Sequence, residues 1–164
     1  MATQTRKNKK IIAWICGVIV AIALVVVAIV AVIMSSNRIS ESFFVSDGTK
    51  YVAELGAENN MLDFNIDGYL PEKLYLVYFY SGDRVTDVKA YYRYEDDNTA
   101  KEALNYFDSQ KEENADVTKF EVNGVYVIAV LDKSLYENMT AEDAKQQVEF
   151  MEILERMNSS SSEE

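Results

Sequence analysis

The stretch that most restricts this chain is the run from Ile11 to Met34, which contains neither a charged residue nor a proline. In hydrocarbon a backbone must satisfy its own hydrogen bonds, so a single apolar run is stable there only as a helix. At a rise of about 1.5 Å per residue such a helix reaches about 36 Å, enough to cross a hydrocarbon core of about 30 Å with some tilt. Trp14 lies one turn inside the first boundary, where an indole N–H can stay near the headgroups. Arg6, Lys7, Lys9 and Lys10 precede the run and only Arg38 follows it closely, an asymmetry that predicts a cytoplasmic N-terminus.

The sequence therefore predicts a single-pass protein of the cell membrane. Its parts are a basic cytoplasmic tail (1–10), a transmembrane helix (11–34), a linker (35–42), an extracytoplasmic domain (43–157) and a disordered Ser-rich acidic tail (158–164). A cleaved signal peptide has an apolar core of about 7–15 residues that ends in a small-x-small site. This run is longer, and Val32-Ile33-Met34 lacks that pattern, so the run is read as an uncleaved signal anchor. Cys16 follows Trp14-Ile15 and is itself followed by apolar sequence, which argues against lipid attachment. Ala13, Gly17 and Ala21 recur every four residues and share one helix face, a candidate surface for helix pairing and a homodimer. The blander account is that small residues recur by chance in any apolar span.

Beyond Met34 lie all 27 acidic residues and 12 of the 16 basic ones, the other four being in the tail, so the domain side carries a net −15. Such a surface repels nucleic acid and anionic headgroups, and no nucleic-acid partner is expected. There is no histidine, and Cys16 is the one cysteine. Ser-His-Asp and Cys-His catalysis, zinc sites built on His or Cys, and disulfides are thereby excluded. No cofactor and no metal are expected, and the chain is read as not an enzyme.

Alternation and turn chemistry predict an α+β fold in which two helices cover one antiparallel sheet. Asp47-Gly48 is read as the turn of a hairpin joining Phe43–Ser46 to Thr49–Val52. Leu62, Phe64 and Ile66 alternate with polar residues as a further strand. Gly82-Asp83 joins strands 74–80 and 85–94, and a regular ladder from that turn sets Tyr80 opposite Val85, Phe79 opposite Thr86 and Val77 opposite Val88. Thr99 with Glu102 has capping-box spacing and starts a helix over about 100–113, with Ala103, Leu104 and Phe107 inward. Asn123-Gly124 closes a hairpin between 117–122 and 125–131, whose second arm is apolar on both faces and reads as a covered central strand. Thr140 starts a second helix reaching about Met157, with Ala144, Val148, Met151 and Leu154 at helical spacing. The order expected after the transmembrane helix is hairpin, strand, then ββαββα.

Four short stretches, Phe44-Val45-Ser46-Asp47, Tyr80-Ser81-Gly82-Asp83, Val122-Asn123-Gly124 and Met139-Thr140-Ala141-Glu142-Asp143, resemble those of small single-pass envelope proteins of Saccharibacteria-type bacteria. The layout is also similar to small bacterial surface lipoproteins with ββα repeats, without their lipidation cysteine. The resemblance implies a bacterial envelope protein and brings no catalytic residues.

The assumed register groups Leu76, Tyr78, Tyr80, Tyr91 and Arg93 on one strand face, the candidate contact surface for an envelope protein, a peptide or a glycan. Tyrosine serves sheets and interfaces for the same amphipathic reason, so ordinary packing explains these residues equally well. Glu95-Asp96-Asp97 and Asp63 with Asp67 offer carboxylates, but no EF-hand spacing, and helix N-terminal charge accounts for Asp96 and Asp97. The expected function is a non-enzymatic binding or interaction module at the cell envelope. The alternatives are a small calcium-binding or carboxylate-dependent enzymatic domain, and a helix-pairing membrane component with a passive ectodomain.

Overall fold

The structure is a computed structural model and describes residues 38–56, 69–110 and 115–161. Five strands form one antiparallel sheet: β1 (Lys50–Leu55), β2 (Lys73–Ser81), β3 (Arg84–Arg93), β4 (Val117–Asn123) and β5 (Tyr126–Leu131). Two helices, α1 (Asp97–Gln110) and α2 (Ala141–Ser161), complete it. The spatial order is β1-β2-β3-β5-β4, so the chain leaves β3, passes through α1 to the far edge as β4, and returns as β5 beside β3.

Both apolar strands of the sequence find central places. β5 lies between β3 and β4, with Tyr126, Val127, Ile128 and Ala129 all buried. Its hairpin turns on Gly124 at φ 59°, a left-handed conformation that glycine adopts without strain. β2 lies between β1 and β3 and is buried from Leu74 through Tyr78. Residues of both parities on β2 are apolar, so both sheet faces need a cover.

On one face the cover is helical. Ala100, Ala103 and Phe107 of α1 and Ala144, Val148 and Met151 of α2 join Leu74, Leu76, Val88, Ala90 and Tyr92 in the larger core. α1 lies over β4 and β5, and α2 over β1. α1 is capped one turn earlier than the Thr99 box implies: the Asp96 carboxylate accepts from the N–H of Asn98 and of Thr99, at 2.7 and 2.9 Å. The cap of α2 is reciprocal. Thr140 Oγ1 accepts from Asp143 N–H at 3.1 Å, and Asp143 Oδ2 accepts from Thr140 N–H at 2.8 Å. The helix then continues past the expected end at Met157 to Ser161.

On the opposite face the cover is the segment from Ile39 to Phe44. Ile39, Phe43 and Phe44 pack on Val52, Tyr75, Val77, Tyr91, Tyr126 and Ile128. The Phe44 ring stacks on Tyr75 with centroids 4.0 Å apart, and Phe43 leans on Tyr91 at 5.6 Å. Ile39 N–H donates to Asn123 Oδ1 at 3.2 Å, which pins the start of this strap beside the β4–β5 turn.

Several expectations are corrected, and one falls outside the described residues. The fold was expected to begin with a transmembrane helix; among the described residues no helix is long and apolar enough to cross a membrane, and the run 11–34 with Ala13, Gly17 and Ala21 lies outside them. The hairpin expected around Asp47-Gly48 shrinks to one bridge, Asp47 to Lys50, because Glu41–Phe43 is a 3-10 turn and the two phenylalanines are drawn onto the sheet face instead of a ladder. The strand expected at Leu62, Phe64 and Ile66 lies outside the described residues, so the described sheet has five strands. The β2–β3 register also differs. Tyr80 does face Val85, but Phe79 faces Asp87, Tyr78 faces Val88 and Val77 faces Lys89. Thr86 is an extra residue in β3, and its hydroxyl donates to Phe79 O at 3.2 Å, which holds the bulge.

Burial on these two faces pushes the tyrosine hydroxyls up from their ordinary range, Tyr78 to about 12 and Tyr91 and Tyr94 higher still. Raised folded-state values mean that their stabilisation is complete below pH about 10 and is lost as pH climbs toward the folded values. Tyr78 alone accounts for about 3 kcal/mol across that window. Urea midpoints are therefore expected to hold between pH 7 and 9 and to fall steeply above pH about 10, with most of the tyrosinate absorbance at 295 nm arising together with unfolding. A midpoint unchanged at pH 11 would refute this packing.

Candidate functional site

Because α1 and α2 cover opposite edges of the sheet, the middle of the helix-side face is left to a short connection. That connection is the 3-10 turn Lys133–Leu135 and the residues after it, between β5 and α2. Asp132 caps it, accepting from Ser134 N–H at 2.9 Å, and Tyr136 inserts toward the sheet with its hydroxyl 3.5 Å from Asp87 Oδ1. The connection does not fill the space. A half-open cavity of about 210 Å³ remains, floored by Leu74, Leu76, Val88 and Ala90 and walled by Tyr78, Leu131 and Tyr136.

At the mouth stand Leu135, Met139, Gln147 and Asp116. Gln147 is fixed by the Tyr78 hydroxyl, which donates to its Oε1 at 2.8 Å. From the mouth a shallow groove runs between the connection and α2, and its polar lining comes from Ser134, Asn138, Asp143, Gln146 and Gln147. Phe150 closes the lining and is 61% exposed. Gln147, Phe150, Leu154 and Met157 follow at steps of three and four, so they share one side of α2. Leu154 is 42% exposed and Ile153 beside it 49%, and the apolar surface thus extends from the cavity along the helix.

The five residues expected to form one contact surface do not come together on one exposed face. Leu76 and Tyr78 are buried on the helix side, where they line the cavity. Tyr91 is buried on the opposite face beneath Phe43 and Phe44. Arg93 pairs with Glu72, and with Glu41 at 3.8 Å. Tyr80, on the turn side of the bulge, stacks on Tyr51 at 4.8 Å and donates to Asp47 O at 2.8 Å. The expected surface is therefore not a surface. The bulge at Thr86 separates its members, because a one-residue change of register exchanges the two faces. Sequence reasoning missed Ala90, Leu135 and Met139. Ala90, the one small residue between Val88 and Tyr92, was the available signal for a hollow.

Asp96 is held below the ordinary carboxylate range by the backbone N–H groups of Thr99 and Asn98, the signature of a cap. Among the described residues no three acidic, histidine or cysteine side chains come together to hold a metal ion. No family model, no curated protein and no solved structure matches this chain.

Two tyrosines on the helix side make a paired test of this geometry. Tyr78 has its partner in Gln147, whereas the Tyr92 ring packs near Phe107 and its buried hydroxyl has no hydrogen-bond partner among the described residues. Tyr78→Phe leaves a glutamine carbonyl unpaired and is expected to cost about 1 kcal/mol, while Tyr92→Phe is expected to be neutral or to stabilise by up to about 1 kcal/mol. Equilibrium urea denaturation of both variants checks the contrast, which the reverse order would overturn.

Proposed function

We propose that this protein is a non-enzymatic interaction module of a bacterial cell envelope, and that its contact site is the cavity and groove on the helix side of the sheet. The observation that carries the reading is the half-open apolar cavity of about 210 Å³ over β2 and β3, between the connection after β5 and α2. Buried apolar pockets rimmed by a few fixed polar groups are the usual form of a binding site. The exposed Leu135, Phe150 and Leu154 beside it add apolar area that water does not favour. The apolar run 11–34 and the basic residues before it support attachment to the cell membrane, with the acidic domain on the outer side. The resemblance to Saccharibacteria-type envelope proteins belongs with this proposal. No observation among the described residues favours the calcium or carboxylate-enzyme reading.

Photocrosslinking in intact cells of the source organism tests it. A benzophenone amino acid in place of Leu135 is expected to give an adduct, and the same group in place of Glu102, exposed on α1, is expected to give none. Absence of any adduct from both Leu135 and Phe150 would overturn the site. In the same cells the chain is expected to sediment with membranes and to resist carbonate extraction, and recovery in the soluble fraction would overturn the localisation.

A further inference from the structure

We propose that the occupant of this site is a peptide segment of another protein, which sets one large apolar side chain in the cavity and a lysine or arginine against the rim. The proposal rests on the reading of the cavity as a binding site and adds the chemical class of its ligand. Three observations converge on it.

The first is size and shape. A half-open hollow of about 210 Å³ lined by Leu76, Val88 and Ala90 has room for an apolar side chain of leucine or phenylalanine size. One deeply seated apolar anchor is the common energetic centre of a peptide contact. The second is the chemistry of the groove. Its polar lining includes the amides of Asn138, Gln146 and Gln147, all on the exposed surface. Side-chain amides both donate and accept, as an incoming backbone requires, whereas a hydrocarbon chain offers them nothing. Gln147 already accepts from Tyr78 through Oε1, which leaves its NH₂ as a donor.

The third is charge. Asp143 lines the groove, and among the described residues neither lining includes a lysine or arginine. Lys133 and Lys145 adjoin this region in sequence but do not line it. Thr140 holds the Asp143 carboxyl below its ordinary range through side-chain and backbone hydrogen bonds, so the rim stays anionic. The net −15 beyond residue 34 would steer a basic segment toward the domain and repel an acidic one. A peptide lying along α2 would meet Phe150 and Leu154 with its next residues, which accounts for apolar side chains on an outward helix side.

The test uses the full-length chain in phosphatidylcholine nanodiscs and fluorescein-labelled peptides read by anisotropy. The probe is Gly-Ser-Lys-Phe-Lys-Ser-Gly, compared with one version carrying Ala for Phe and another carrying Glu for both Lys. The first peptide is expected to bind, and each altered version to bind about tenfold more weakly or worse. Ala90→Leu, which fills the hollow, is expected to weaken the first peptide about tenfold. Should that variant not fold by circular dichroism, Asn138→Lys with Gln146→Lys on the exposed rim supplies the second readout. It is expected to weaken the lysine peptide and to strengthen the glutamate one.

Binding that ignores the anchor, the charge or the rim variant would overturn the proposal, as would no binding of the first peptide. The Leu135 crosslink separates the two levels. An adduct with a lipid or glycan would retain the binding site and refute the peptide, whereas no adduct from Leu135 or from Phe150 would remove the site itself.

Discussion

The architecture depends on one constraint: β2 is apolar on both of its faces and lies inside the sheet. Leu74, Leu76 and Tyr78 point one way, and Tyr75, Val77 and Phe79 the other. A strand of this kind cannot leave either face to water, since each fully buried apolar side chain contributes about 1.5–3 kcal/mol relative to exposure. Two covers are therefore required, from different parts of the chain. The helices serve one face. On the other, no helix is available among the described residues, and the cover is aromatic: Phe43 and Phe44 from the strap, meeting Tyr75, Tyr91 and Tyr126 edge-on, tilted or stacked.

The same constraint explains why the strap is tied down as it is. Two rings on a short segment would detach easily if nothing fixed the backbone on either side. Ile39 is hydrogen-bonded to Asn123, a residue 84 positions away, and on the other side Asp47 gathers its neighbours. The Asp47 carboxylate accepts from the N–H and hydroxyl of Thr49 and pairs with the largely buried Lys50, whose ammonium also lies 5.1 Å from the Phe43 ring centroid. Those partners hold the Asp47 carboxyl well below the usual range, the Lys50 hydrogen bond most of all. Residues that look like a linker and a hairpin arm in the sequence are thus one surface of a second core.

How much of this could be read beforehand follows from which signals are local. Asn123-Gly124, the Thr140 cap, and the apolar stripes Ala103/Phe107 and Ala144/Val148/Met151 are properties of a few adjacent residues, and the structure places them where the pattern says. The β2–β3 register is different. Gly82-Asp83 correctly sets Tyr80 against Val85, but nothing in Val85-Thr86-Asp87 announces that Thr86 will be passed over. With apolar residues of both parities on β2, neither register leaves that strand with a polar face, so hydrophobic alternation could not choose between them. The choice falls to β3, where Val88, Ala90, Tyr92 and Tyr94 must face the helices. The candidate surface failed for two reasons: it was assembled across a register that the bulge alters, and both faces of the sheet are covered where Leu76, Tyr78 and Tyr91 lie.

The cavity has a physical origin in the same arrangement. Interiors normally pack to the density of organic crystals, and a hollow lined by Leu and Val forfeits the dispersion contacts that larger side chains would make. Here α1 lies over β4 and β5 while α2 lies over β1, and among the described residues the space above β2 and β3 is spanned by the turn at Lys133–Leu135 and the residues after it. A larger residue at position 90 would reach into that space from the floor, yet the position is alanine, flanked by Val88 and Tyr92 on the same strand. Meanwhile Phe150, Leu154 and Leu135 are left at the surface within reach of the opening, although the chain carries charge freely elsewhere on α2, at Glu142, Lys145, Glu149 and Glu152. A sequence shaped by stability alone would fill the floor and make the rim polar. Here the floor is left open at Ala90 and apolar side chains stand among the polar groups of the rim, an arrangement that the proposed binding of an incoming side chain would account for.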